Sequence, residues 1–429
     1  MSAASLIERQ IAQIRQSGRA VLFRKMKRVW RILYKLPLFV LAVPAVVVIR
    51  LIKPWLLVRW GEMASSRIGH FAGNIELYLC EREAGINLPR QCHMDLLFMR
   101  RPICNQQLAK MWKRVLRVWP AWILYPIFRV NRLIPGGAIH EIGNNTQEDR
   151  DVHNLLDRFP PHLKFNAEED AYGEAGLRAM GIPIGVPFVC LIVRDSAYLD
   201  AHLPTGAWGY HNYRDCDIQN YVLAAEELAD RGYFVIRMGA KVREAMKTTH
   251  PRVIDYATNG MRSDFMDIYL GAKCEFCISM GTGFDAVPLV SRRPIAYVNM
   301  VPLGHLATYR TQFLGITKHH VLKAQNQELT LAEIFAHCVG FCSSTSDYAS
   351  QGVGLIENTP EEIRDLVIEM TERLNGTWQA QEKDEHLQRR FWEIFSKGAI
   401  CVDRDRPIHG EIRSRFGATF LRNNPDWLQ

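Results

Sequence analysis

Acidic residues are nearly absent from the front of this chain: Glu8 is the one acid among residues 1–60, and none occurs between 96 and 140. The first stretch carries twelve Lys/Arg and the second eight, so a net charge of +8 over 429 residues hides a basic front and a net acidic remainder. A nucleic-acid binder spreads basic residues over its folded domains. This chain does not, and it has neither zinc-finger spacing nor an interleaved aromatic RNA-binding motif, so no nucleic-acid partner is expected. Long apolar runs are also missing. LPLFVLAVPAVVVI (36–49) is fourteen residues long, interrupted by Pro37 and Pro44 and followed by Arg50 and Lys53. A spanning helix needs about twenty apolar residues. No small-x-small cleavage site follows, which disfavours a secretory leader. No G-x-G-x-x-G follows a first strand, which disfavours a dehydrogenase. The ten cysteines show no disulfide framework. Cys274 and Cys277 lie in a strand-like run that points them to opposite faces, and Cys338 and Cys342 have no convincing partners. No metal site is expected.

What is present at the front suits a membrane surface. Arg24, Lys25, Lys27, Arg28, Arg31 and Lys35 are interleaved with Val29, Trp30, Ile32, Leu33 and Tyr34, just ahead of the apolar run. Cations that snorkel to anionic headgroups beside apolar and aromatic side chains mark an interfacial anchor. Whether 36–58 spans or only inserts is left open. The stretch Lys110–Arg132 repeats the mixture with Trp112, Trp119, Trp122 and Tyr125, a composition typical of a bilayer interface.

Beyond residue 56 the pattern alternates strand and helix. Residues 56–63 and 94–99 read as strands, 65–71 as a loop and 72–85 as a helix. A second series follows. Strands are predicted at 186–193, 233–239, 253–257, 274–281 and 294–300, and helices at 218–232, 264–273 and 359–376, the last with Thr359 as N-cap and Gly376 past its end. Such alternation implies doubly wound parallel sheets. The expected organisation is an anchoring segment at 1–56, a Rossmann-like acceptor domain at 57–180, a Rossmann-like donor-nucleotide domain at 181–400 and an extension at 401–429.

Ligands of open parallel sheets bind beyond the carboxyl ends of the strands. Arg194 and Asp195 follow the first strand of the second series, Arg237 and Gly239 end the next, and Ser279, Gly281, Thr282 and Gly283 close the fourth. Arginine grips phosphate bidentately and glycines admit backbone N–H groups to an anion, so these residues are donor-site candidates. In the other half, Arg67, Gly69 and Asn74 lie in the predicted loop and the start of the helix that follows, on the acceptor side. His70 and Glu76 are the candidate bases there.

The segments RIGHFAGNIELYLCEREAGI, RDSAYL, YRDCDIQNYVLAAEELADRGYFVIRMG and DYATNGMRSDFMDIYLGAKCEF resemble a bacterial family of glycosyltransferases. More distantly, the C-terminal half is similar to GT-B fucosyltransferases of the protein O-fucosyl and nodulation type. The resemblance implies a GT-B fold and transfer from a nucleotide-sugar without a cofactor or divalent metal. It places Arg194 on the donor diphosphate, Asp267 on the nucleotide side and Ser279 to Gly283 at the nucleotide turn. Ile192 stands where the fucosyltransferase pattern has its His, which leaves the sugar open. Taken with the basic, apolar front, the expectation is an enzyme that works on a lipid-linked or glycan acceptor for surface polysaccharide, at the cytoplasmic face of the inner membrane, against an anionic bilayer. A non-catalytic scaffold and a nucleotide-sugar epimerase are the alternatives.

Overall fold

The computed structural model describes residues 36–143, 150–198, 208–399 and 408–429. The basic run from Arg24 to Lys35 lies outside the described residues. Within them are twelve strands: β1 (Leu57–Met63), β2 (His93–Met99), β3 (Phe188–Ile192), β4 (Phe234–Met238), β5 (Val253–Ile254), β6 (Cys277–Ser279), β7 (Ile295–Met300), β8 (Phe313–Thr317), β9 (His319–Leu322), β10 (Gln327–Glu328), β11 (Val353–Ile356) and β12 (Arg415–Phe416). The chain forms two compact units and passes between them repeatedly. Described residues 36–63, 89–100 and 116–143 make one, and 64–88, 101–115 and the described remainder make the other. Of the segment 57–180, therefore, 64–88, 101–115 and 150–180 belong with the large C-terminal sheet.

The first unit is small. β1 and β2 pair in parallel from Leu57 with His93 to Met63 with Met99, and single bridges add Val118 beside Leu97 and Glu141 beside Trp60. Alternate residues Val58, Trp60, Leu96 and Phe98 form its core with Leu124, as period-two strands require. Arg59 and Asp95 join the strands by two buried bonds of 2.7 Å. The helices Leu36–Leu51 and Ala121–Leu133 complete the unit. No described helix is long and apolar enough to cross a membrane.

The second unit is a mixed α/β body around a seven-stranded parallel sheet of order β12-β8-β7-β6-β3-β4-β5. β3 is apolar throughout and buried throughout, as a parallel strand covered on both faces must be. The sheet grows from β3 through β4 to β5, then restarts at β6 on the opposite side of β3. That reversal leaves a crevice beyond the carboxyl ends of β3 and β6. The helix Pro360–Asn375 begins with a Thr359–Glu362 capping box and ends at Gly376 with φ of 69°, where only glycine is unstrained. A small antiparallel sheet, β10-β9-β11, has no counterpart in the predicted pattern.

One boundary differs with consequences for the site. The helix predicted at 72–85 runs from Ile68 to Glu83, so Gly69 and His70 occupy its first turn and not a loop. Gly69 is not there for a tight turn. A Cβ at that position would lie 3.0 Å from the Cα of Gly283, so the glycine lets the helix start approach the turn after β6.

Candidate functional site

The crevice between β3 and β6 collects cations. Arg194 follows β3 by two residues, and its backbone N–H donates to Met280 Sδ at 3.1 Å. Its guanidinium is mostly buried, with Nε 3.4 Å from Asp215 Oδ1. Burial and the neighbouring Arg214 both push the Arg194 guanidinium below its usual range. Arg214 donates to the carbonyl of Gly281. Lys318, buried just past β8, donates to the carbonyl of Asp215 at 2.8 Å. Asp195 accepts the backbone N–H of Arg243 at 2.8 Å, while the Arg243 side chain donates to Ser196 at 2.6 Å.

The turn after β6 shapes the other wall. Ser279 donates to Asp285 at 3.0 Å and accepts the N–H of Gly281 at 3.1 Å. Gly281 holds φ of 77°, a conformation that glycine reaches without strain. The helix that follows, Ala286–Val290, has five residues, too short to supply an anion site, so the cationic character comes from side chains. Arg214 Nε and Thr282 Oγ1 are buried without a hydrogen-bond partner among the described residues. Such atoms cost stability unless another group satisfies them.

Two titratable groups report the field. His211 is held down to about 4 by burial and then by Arg194, Arg214 and Arg67. It is therefore neutral at physiological pH, and Arg67 acts on the same imidazole as the two crevice arginines. Asp285 is pushed up to about 7 by burial, against the Ser279 hydrogen bond and Arg214. Between about pH 4 and 7 the unfolded chain releases this proton while the folded protein keeps it, so rising pH costs stability across that window. Asp285→Asn should remove that slope, read as the urea midpoint measured across the same pH range. A slope equal to wild type would place the titration elsewhere.

The structure brings together Arg67, Gly69, Arg194, Asp195, Ser279, Gly281, Thr282 and Gly283. His70 is half-buried in the turn adjoining Gly69, with Asn74 one helical turn beyond. Other candidates are structural. Arg237 is buried, with Nη1 on Asp255 at 3.0 Å and on the Glu244 carbonyl at 2.8 Å, so its charge is committed within the fold. Gly239 leaves room for Val242, whose Cγ1 would lie 2.6 Å from an added Cβ. Asp267 is tied to Arg262 at 2.6 Å and to the Tyr256 hydroxyl at 3.2 Å, and burial raises its pKa to about 6 against both. Glu76 is fully buried and ion-paired to Arg292 at 2.6 Å. Cys80 and His162 lie close by, in a grouping that could hold a metal ion, but the Arg292 guanidinium already stands among them, 3.5 Å from Cys80 Sγ. The sequence reading passed over His211, Arg214, Asp215, Arg243 and Lys318. One signal was available: Arg214-Asp215 repeats the Arg194-Asp195 dipeptide.

No family model and no curated protein matches the chain. Solved structures similar to it include three glycosyltransferases. Heptosyltransferase II of E. coli, which the structure's name ties to ADP-heptose and LPS, is 13% identical over 57% of this chain and 86% of that one, with a TM-score of 0.35. A family 9 glycosyl transferase of Veillonella parvula DSM 2008 is 10% identical over 75% and 97%, with a TM-score of 0.42. The iron-containing dodecameric glycosyltransferase TibC of enterotoxigenic E. coli H10407 is 11% identical over 57% and 61%, with a TM-score of 0.30. Likeness this distant leaves the reading of the site to its residues.

Proposed function

We propose that the chain is a membrane-associated glycosyltransferase of GT-B type that takes a nucleotide-sugar donor, with the donor diphosphate lying among Arg194, Arg214 and Lys318. One observation carries this reading: the gathering of these cations with Arg67 and Arg243 at the switch point of a parallel sheet, beside Asp195, Asp215 and a partly protonated Asp285. Guanidinium and ammonium groups at that place can carry the charge of a leaving nucleoside diphosphate, a task a divalent ion performs in other transferases. His70 is the base that takes the acceptor hydroxyl proton. The acceptor is a glycan or lipid-linked sugar of a surface polysaccharide, met at the cytoplasmic face of the inner membrane.

The test is calorimetric titration with a panel of nucleoside diphosphates, followed by Arg194→Ala. Losing one charge-assisted phosphate contact costs about 1.5–3 kcal/mol, so the dissociation constant should rise roughly ten- to a hundred-fold. A variant that binds the same nucleotide as tightly as wild type puts the donor site elsewhere.

A further inference from the structure

The helix Leu36–Leu51 is apolar at every position except Arg50. A helix apolar all round is normally buried all round or in contact with lipid. Here only one side is covered. Phe39, Ala42 and Val46 pack against Ile127, Val130 and Ile134 of the neighbouring helix and its end. The opposite side, with Val40, Leu41, Val43, Val47, Val48 and Leu51, stands about half exposed or more. Arg50 does not interrupt this face. Its guanidinium is turned onto Asn131 and the carbonyls of Ile134 and Pro135 at 2.8–3.1 Å.

The second helix, Ala121–Leu133, continues the surface. Trp122 on it and Trp55 beyond the first helix are 63% and 76% exposed. Arginines lie over its aromatic rings: Arg100 is 4.7 Å from the Tyr125 centroid and Arg132 is 5.0 Å from that of Phe128. Aliphatic face, exposed indoles and arginines together are the composition of a headgroup–acyl boundary. Sixteen residues of helix extend about 24 Å, short of the roughly 30 Å hydrocarbon core. Immediately upstream, residues 1–35 carry nine Lys/Arg against one acid, which favours an anionic surface over a neutral one.

We infer that these two helices form one docking platform that lies in the plane of an anionic bilayer, with the outer face of Leu36–Leu51 inserted and Trp55 and Trp122 at the headgroup level. The inference deepens the membrane-associated part of the proposed function and is independent of the donor chemistry. It joins Ala121–Leu133, within the second aromatic and basic stretch, to the helix Leu36–Leu51 as one continuous surface.

Full-length protein should be floated with phosphatidylglycerol-containing vesicles in high salt, which screens the attraction of the basic segment. Wild type should stay bound, and Trp55→Ala/Trp122→Ala should lose about tenfold or more in partitioning, since two large side chains no longer enter the interface. Leu41→Lys/Val48→Lys should lose as much without touching either indole. Lipids brominated near the headgroup should quench wild-type tryptophan fluorescence, and a Trp55→Phe/Trp122→Phe variant should lose that quenching. Nucleoside-diphosphate binding should be unchanged in all variants, which separates failure of this platform from failure of the donor site. Unaltered partitioning in both charge and alanine variants overturns the inference. So does a wild-type dimer in solution that Leu41→Lys/Val48→Lys splits, because the face would then join two copies of the chain.

Discussion

A His70→Ala enzyme is expected to bind nucleoside diphosphate as wild type does and to transfer sugar about 10²–10⁴ times more slowly, the usual contribution of a positioned base. Gly69 brings the first turn of Ile68–Glu83 against the Gly283 turn, so His70 enters the same neighbourhood as the proposed diphosphate without being one of its cationic partners. Wild-type turnover should rise with pH through one ionisation, and the variant should lack that limb. Unchanged turnover would remove His70 from the chemistry. His211 would then be the next imidazole to test: burial and then three arginines hold its pKa near 4, and an arriving phosphate would offset the arginine part and raise its basicity.

Arg292→Ala should lower the unfolding free energy by about 3–5 kcal/mol, the cost of leaving a buried charge without its partner. Glu76 is fully buried and receives Arg292 at 2.6 Å and His162 at 3.0 Å. The same guanidinium also donates to the carbonyls of Phe159, Pro160 and Val290, so it fastens the helix Ile68–Glu83 to the segment at 159–160 and to the end of Ala286–Val290. Urea denaturation monitored by circular dichroism measures the loss. Glu76→Gln should cost less, since Arg292 keeps its carbonyl acceptors, and its folded fraction should retain wild-type turnover. A loss under about 1 kcal/mol for Arg292→Ala, the size of a surface pair, would show that the cluster is solvated in solution and would return Glu76 to the list of candidate bases.

The contrast between these two residues shows what the sequence could reveal. β3, β4, β6 and β7 were legible because each opens on a short apolar run that ends at a polar residue or a turn, and such runs form wherever a sheet is buried on both faces. Arg194 and the Ser279–Gly283 turn were legible as a consequence, since position at a strand end follows from the strand. Partners were not. Arg237 and Arg194 look alike in one dimension and each has an aspartate beside it in the fold, but Arg237 is fully buried and also bound to the Glu244 carbonyl, which makes it a fixed internal cation. Glu76 is separated from Arg292 by 216 positions, and no local period announces such a pair. The first turn of Ile68–Glu83 falls in the stretch expected to be a loop, because it carries a glycine whose lack of a side chain serves contact with another glycine. Arg214 and Lys318 were missed because the segments that carry them have no periodicity to anchor them to a strand end.

The passage of the chain between units also sets an order of events during synthesis. The smaller unit ends at residue 143, before β3 begins at Phe188. The helix Ile68–Glu83 belongs with the later sheet, where Leu77 and Cys80 join its core. Its packing partner Ala286–Val290 is translated about 200 residues afterwards, roughly 10–40 s at ordinary ribosome speeds. For that interval the stretch bearing His70 hangs from a finished unit with Leu77 and Cys80 uncovered, so a nascent chain stalled between residues 143 and 286 should be a preferred client of chaperones that bind exposed apolar segments.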